Sequence, residues 1–265
     1  MKVKDIAKII EDIAHLSLAE EWDNVGLMIG NFEDSVRGAV VSVDLTNGAI
    51  NEAIKNNCNL IITHHPAIFE PLKSVNSDNY TAGLIAKCIQ NNINVYSAHT
   101  NMDMSNSGIN FEFARKLNVN AKAFLNDGLG VYGDFCGDLD KLLLKIKEIT
   151  NEKNPKLYIG SVDKDTCKSN INEEININLI HGNQKIAFIS GSGGRIEEVI
   201  SKCKELGITT FISSEFKHNI LLELLASNVN VIELGHFESE VIFTEIIYNL
   251  LKDKISNLYK YVNLI

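Results

Sequence analysis

Apolar and polar positions along this chain recur with two periods, and those periods divide it into helices and strands. Residues 2–15 place Val3, Ile6, Ile9, Ile10 and Ile13 on one face, the spacing of an amphipathic helix. Glu21-Trp22-Asp23-Asn24-Val25-Gly26-Leu27 then reads as a turn entering a short strand at Met28-Ile29-Gly30. Trp22, the single tryptophan, is expected as a core anchor. Val40-Val41-Ser42-Val43 is a strand ending at Asp44-Leu45-Thr46, and a helix follows over about 47–57. The buried-strand run Leu60-Ile61-Ile62 closes on Thr63-His64-His65-Pro66, where Pro66 ends any ladder. A helix at 80–91, a strand at 93–97 and a helix at about 108–117 continue the alternation, with Ala98-His99-Thr100-Asn101-Met102-Asp103 read as a loop.

From about residue 126 the texture changes. The glycine-dense Gly128-Leu129-Gly130-Val131-Tyr132-Gly133 enters a strand, and a helix occupies 139–149. Short apolar runs follow at 157–159, 175–180 and 186–189, and Gly191-Ser192-Gly193-Gly194 opens a helix to about 206. Strands at 208–212 and 229–234 flank a helix at 219–226, and a last helix covers 237–251. Strand–helix alternation is the pattern of an α/β protein with a parallel sheet. The expected organisation is two α/β lobes. Residues 1–125 with 226–265 form a metal-binding domain, into which 126–225 is inserted.

Composition narrows the class. The chain has 265 residues, 45% hydrophobic and 22% charged, as in ordinary globular proteins. No apolar run approaches a membrane span, and the first dozen residues lack a signal-peptide core, so a cytoplasmic protein without a membrane partner is expected. The net charge of −9 argues against nucleic acid as a partner. Cys58, Cys88, Cys136, Cys167 and Cys203 include no CxxC pair, which suits reduced thiols and leaves nitrogen and oxygen to hold any metal.

Candidate chemistry collects where the strands end. Asp44, His64, His65, His99 and Asp103 all fall at or just beyond carboxyl ends of strands, where α/β sheets bind ligands. His236 and Glu240 lie four apart at a helix start, a spacing that puts both on one face. His64, His65, Asp103, His236 and Glu240 thus form a candidate ligand set, with His99 in reserve. Such donors suit zinc, iron, manganese or cobalt. Glu240 is placed to bridge two ions, with water completing their shells, as a hydrolytic site needs. The glycine segment 191–194 lacks the Lys-Ser/Thr of a P-loop and reads as a tight turn. No G-x-S-x-G elbow is present.

Four motifs occur in order: Glu21-Trp22-Asp23-Asn24-Val25-Gly26-Leu27, Ile62-Thr63-His64-His65-Pro66, Ser97-Ala98-His99-Thr100-Asn101-Met102-Asp103 and Gly235-His236-Phe237-Glu238-Ser239-Glu240. Through them the chain resembles the GTP cyclohydrolase 1 type 2 homologues, the Nif-three-like dinuclear-metal proteins. The resemblance implies two α/β lobes, a homohexameric ring with metal sites facing inward, and two divalent ions per subunit held by His64, His65, Asp103, His236 and a bridging Glu240. His99 then orients the site, and Glu240 and His99 are the residues expected to serve catalysis. The chain departs from the family pattern at Ser214-Glu215, where Gly-Asp is typical. The implied activity is hydrolysis of a nucleotide or related small molecule, in the manner of GTP ring opening by water attack at C8 of the purine. The alternative is a non-catalytic metal-binding ring that regulates or scaffolds.

Overall fold

The computed structural model describes residues 1–76, 78–160 and 182–263. The apolar run at 175–180 lies outside the described residues. The chain divides into two compact units, Met1–Gly108 with Phe243–Ile265, and Ile109–Ile242. Residues 109–125 and 226–242, expected in the first unit, therefore belong to the second. Strand pairing explains the difference: the strands in those stretches hydrogen-bond to the second sheet and cannot be parted from it.

The first unit opens with α1 (Val3–Ile13), which buries Val3, Ile6, Ala7 and Ile10 as its period requires. Its five-stranded sheet runs β1 (Gly26–Ile29), β4 (Asn94–Ser97), β3 (Leu60–Thr63), β2 (Ala39–Ser42) and β11 (Leu258–Lys260). Only β1 is antiparallel to its neighbour; the other pairings are parallel. Every residue of β2, β3 and β4 is buried, as expected of parallel strands covered on both faces. The crossover helices are α2 (Asn47–Lys55) and α3 (Tyr80–Gln90), whose first turns are capped by the Thr46 and Asn79 side chains. Val40, Ile61 and Val95 pack with Ile50, Ala53, Ile85 and Cys88 in the core between sheet and helices.

Two corrections concern helices. The stretch read as a loop after Ser97 contains α4 (Thr100–Met104), and the single C-terminal helix is two, α9 (His236–Glu240) and α10 (Ile242–Leu251). Trp22 is also no core anchor: it is 61% exposed.

The second unit holds α5 (Ile109–Lys116) and a six-stranded mixed sheet. Its order is β5 (Lys122–Ala123), β6 (Val131–Phe135), β8 (Gln184–Phe188), β9 (Thr210–Ser214), β10 (Asn230–Leu234) and β7 (Lys156–Tyr158). The central three, β8, β9 and β10, are parallel, and antiparallel strands flank them. Helices α6 (Leu139–Thr150), α7 (Glu198–Leu206) and α8 (His218–Ala226) complete it. Phe211, Ala187 and Val231 bury against Val199, Cys203 and Leu224, and Phe113 stacks on Phe188 at 3.8 Å between ring centres. The helix expected directly after Gly194 starts later, because residues 193–195 first form one tight 3-10 turn. Among the described residues no helix is long and apolar enough to cross a membrane.

Candidate metal centre

Each unit gathers imidazoles and carboxylates beyond three adjacent parallel strands. In the first, register aligns Ser42, Thr63 and Ser97, so β2, β3 and β4 end side by side. The residues that follow are held by their own backbone. His64 and His65 donate their N–H groups to the Val43 carbonyl at 3.0 and 2.9 Å, and Ala98 donates to Thr63 at 2.9 Å. A hydrogen bond of 2.8 Å links the Thr63 and Ser97 hydroxyls beneath them. This framework brings His64, His65 and His99 together, with one ligand nitrogen of each within 4.8 Å of the others. Asp103, on α4, places Oδ2 3.6 Å from His64 Nε2.

The imidazoles are oriented by oxygen atoms on their Nδ1 side. His64 Nδ1 lies 2.9 Å from the Ala98 carbonyl oxygen, which can only accept, so Nδ1 carries the proton and Nε2 the coordinating lone pair. His65 Nδ1 lies 2.7 Å from Asp44 Oδ1, and His99 Nδ1 lies 2.8 Å from Asp23 Oδ1. The same tautomer follows for both. Asp23 also accepts the backbone N–H of Thr100 at 3.0 Å and its hydroxyl at 2.5 Å, which starts α4 on the residue after His99. That tie converts the expected loop into a helical turn. Burial of Asp23 opposes ionisation, but the hydrogen bonds from His99 and Thr100 outweigh it and hold the carboxyl down to about 2.

In the second unit, His236 and Glu240 share a face of α9, as their spacing predicts, with Nε2 3.2 Å from Oε1. His236 Nδ1 lies 2.9 Å from Glu215 Oε1, and Glu215 Oε2 pairs with Arg195 at 2.8 Å. Glu215 sits just beyond β9 with φ of 55°, a left-handed backbone uncommon for a residue other than glycine. The glycine segment after β8 closes round the same pair. Gly191 has φ of 61°, and a Cβ there would collide with Glu240 Oε1 and come within 3.5 Å of His236 Nε2. The Ser239 hydroxyl accepts the Gly191 N–H at 2.9 Å, fixing the turn against α9.

One electrostatic feature recurs in both units. With Nδ1 as donor, Nε2 of His64 and of His236 turns a lone pair toward a carboxylate oxygen. Such a contact is favourable when positive charge lies between the two atoms, either a proton on Nε2 or a metal ion held by both. Donors bonded to one tetrahedral ion at about 2.0–2.1 Å stand roughly 3.3 Å apart, so separations of 3.2 and 3.6 Å fit a shared ion. Neutral imidazole and carboxylate without thiolate are donors for zinc, iron, manganese or cobalt.

Of the predicted residues, His64, His65, His99 and Asp103 meet in the first unit, and His236 and Glu240 meet in the second. Sequence reading missed the orienting roles of Asp23, Glu215 and Arg195. Asp23 lies in the first of the four motifs, but 76 residues separate it from His99, and no local pattern links the two.

The fold and these donors define a class: an α/β protein with candidate metal-binding residues at the carboxyl ends of its strands. Within that class, the chain belongs to the Duf34/NIF3 (NGG1p interacting factor 3) family, whose model matches residues 1–264. It is 35% identical over 250 residues to a protein of Clostridium acetobutylicum named GTP cyclohydrolase 1 type 2 homolog, covering 91% of this chain and 85% of that one. A Campylobacter jejuni protein of the same name is 31% identical, covering 96% and 93% of the two chains. Among solved structures, reduced HcgD from Methanocaldococcus jannaschii superposes with a TM-score of 0.80 at 26% identity, covering 100% and 98%.

Proposed function

We propose that this protein is a metal-dependent hydrolase acting on a nucleotide or a related small molecule, with two divalent ions per subunit. His64, His65, Asp103, His236 and Glu240 would hold the ions. GTP is the first substrate to test, because the curated relatives carry the name of a GTP cyclohydrolase homolog. The observation that carries the reading is the imidazole–carboxylate geometry, in which oriented Nε2 atoms face carboxylate oxygens.

Bound divalent ions would supply Lewis acidity toward the group under attack. The chain's own residues do the rest. Ala98, Asp44 and Glu215 keep His64, His65 and His236 in the coordinating tautomer. His99, held through Nδ1 by Asp23, offers Nε2 to take a proton from attacking water and return it to the leaving group. The protein is proposed to act as a homohexamer, the state its resemblance implies, and to work in the reducing cytoplasm, which its unpaired cysteine pattern suits.

The test joins elemental analysis of protein purified without chelators to a hydrolysis screen across nucleotides. Stoichiometric divalent metal is expected, with turnover that falls at least about 100-fold in Glu240→Ala while the assembly keeps its size by light scattering. Metal well below one ion per chain, or turnover that survives the substitution, would overturn the proposal.

A further inference from the structure

We propose that Trp22 and Phe69 form a stacking platform for a planar heteroaromatic ring of the substrate; this names the substrate class of the hydrolase reading and rests on it. Trp22 is 61% and Phe69 49% exposed, although large aromatic side chains are the ones most stabilised by burial. Both rings adjoin the imidazole cluster. Their centres lie 5.9 Å apart, and each meets His99 edge-on, at 6.2 Å from Trp22 and 6.4 Å from Phe69. His99 in turn lies 5.1 Å from His64 and 5.5 Å from His65. A ring resting on this rim would have its edge beside the candidate metal donors.

The rim is exposed but tethered. Asp23, next to Trp22, is bonded to His99 and Thr100. Asn24 donates 2.6 Å to the carbonyl of Ile68, which precedes Phe69. Neighbouring polar contacts therefore restrain the backbone beside both rings before anything binds, which lowers the ordering cost of a ligand. Size decides between occupants. The exposed parts of two such rings amount to on the order of 250 Å². A stable protein partner needs about 800 Å² per side, whereas one or two fused heteroaromatic rings match the smaller area. Polarity agrees, since an aromatic face offers stacking and the adjoining imidazoles offer polar contacts to ring heteroatoms.

Trp22 is the only tryptophan, so its fluorescence reports the platform directly. The full chain, loaded with zinc, is titrated with guanosine, with GTP and with inorganic tripolyphosphate, and affinities are read in parallel by calorimetry. Saturable quenching by guanosine and GTP but not by tripolyphosphate is expected. Trp22→Ala should weaken guanosine and GTP roughly 5- to 100-fold, Trp22→Phe much less, and tripolyphosphate binding should not move. Unchanged guanosine and GTP affinity in both Trp22→Ala and Phe69→Ala would overturn the platform, as would the absence of guanosine binding. So would a blue-shifted, unquenchable Trp22 emission accompanied by dissociation of Trp22→Ala, which would mark the rim as a contact between copies of this chain. The two readings fail separately. Base-dependent binding without hydrolysis leaves the platform and sinks the hydrolase; hydrolysis indifferent to Trp22 and Phe69 does the reverse.

Discussion

At the scale of single residues, the histidines act through what their far nitrogens touch. Glu215 shows this most directly, since its carboxylate joins His236 to Arg195 from a left-handed backbone position. Removing it takes away the acceptor that orients His236 through Nδ1. Glu215→Ala should therefore weaken metal binding about 10- to 100-fold by competition with a chromophoric chelator. Glu215→Gln, which can still accept from Nδ1, should weaken it less. Asp23 yields a pH prediction. Its folded carboxyl ionises at about 2 against an ordinary value of 3.8, so the charged form is favoured by folding. Stability from this group is present above about pH 4 and is lost as pH falls toward about 2, on the order of 2 kcal/mol in all. Asp23→Asn should lower unfolding free energy at neutral pH by about that amount and flatten the acid limb of a urea-monitored stability profile between about pH 4 and 2.

At the scale of elements, each unit repeats one device: parallel strands end together, and the turns beyond them carry the chemistry. The strands and His64-His65 were legible because a buried apolar run closing on two imidazoles has a one-dimensional signature. The α9 pair was legible because helical spacing alone puts His236 and Glu240 on one face. Short helices such as α4 were not legible, because the Asp23 carboxylate that starts α4 comes from a distant part of the chain. The glycine segment after β8 was recognised as a turn, but its packing on Glu240 was not visible in sequence. That packing makes Gly191 demanding, since it combines φ of 61° with a backbone pressed against Oε1. Gly191→Ala should cost roughly 1–3 kcal/mol by chemical denaturation and displace Glu240, reducing metal affinity along with stability. A variant that keeps wild-type stability and metal binding would show that the turn tolerates a side chain and does not shape the site.

At the scale of the whole molecule, two sheets with separate cores make two units whose openings can be read independently. Sequence texture shifts at 126, whereas the second unit begins at 109 and its first strand pairs at 122–123; pairing partners, not local composition, decide which unit a strand joins. Cysteines provide the probe. Cys58 and Cys88 are buried in the first unit, and burial pushes each thiol up to about 11; Cys203 is buried in the second, at about 12. At pH 8 the thiolate, the reactive form, is then present in only about one molecule in a thousand for Cys58 and Cys88 and about one in ten thousand for Cys203. Cys136, by contrast, is exposed. Brief treatment of the native protein with iodoacetamide, followed by peptide mass spectrometry, should modify Cys136 and spare Cys58, Cys88 and Cys203. Under increasing urea, Cys58 and Cys88 should become reactive together, because they share one core, and Cys203 should follow the midpoint of its own unit. Reaction of Cys58 and Cys88 at different urea concentrations would contradict a single cooperative first unit. Zinc at saturating concentration should move the midpoints upward, because an ion that binds only folded donors stabilises the units that supply them. Since the proposed ligands come from both units, both transitions should shift; a shift in one alone would assign the ions to that unit's residues and remove the other's from the ligand set.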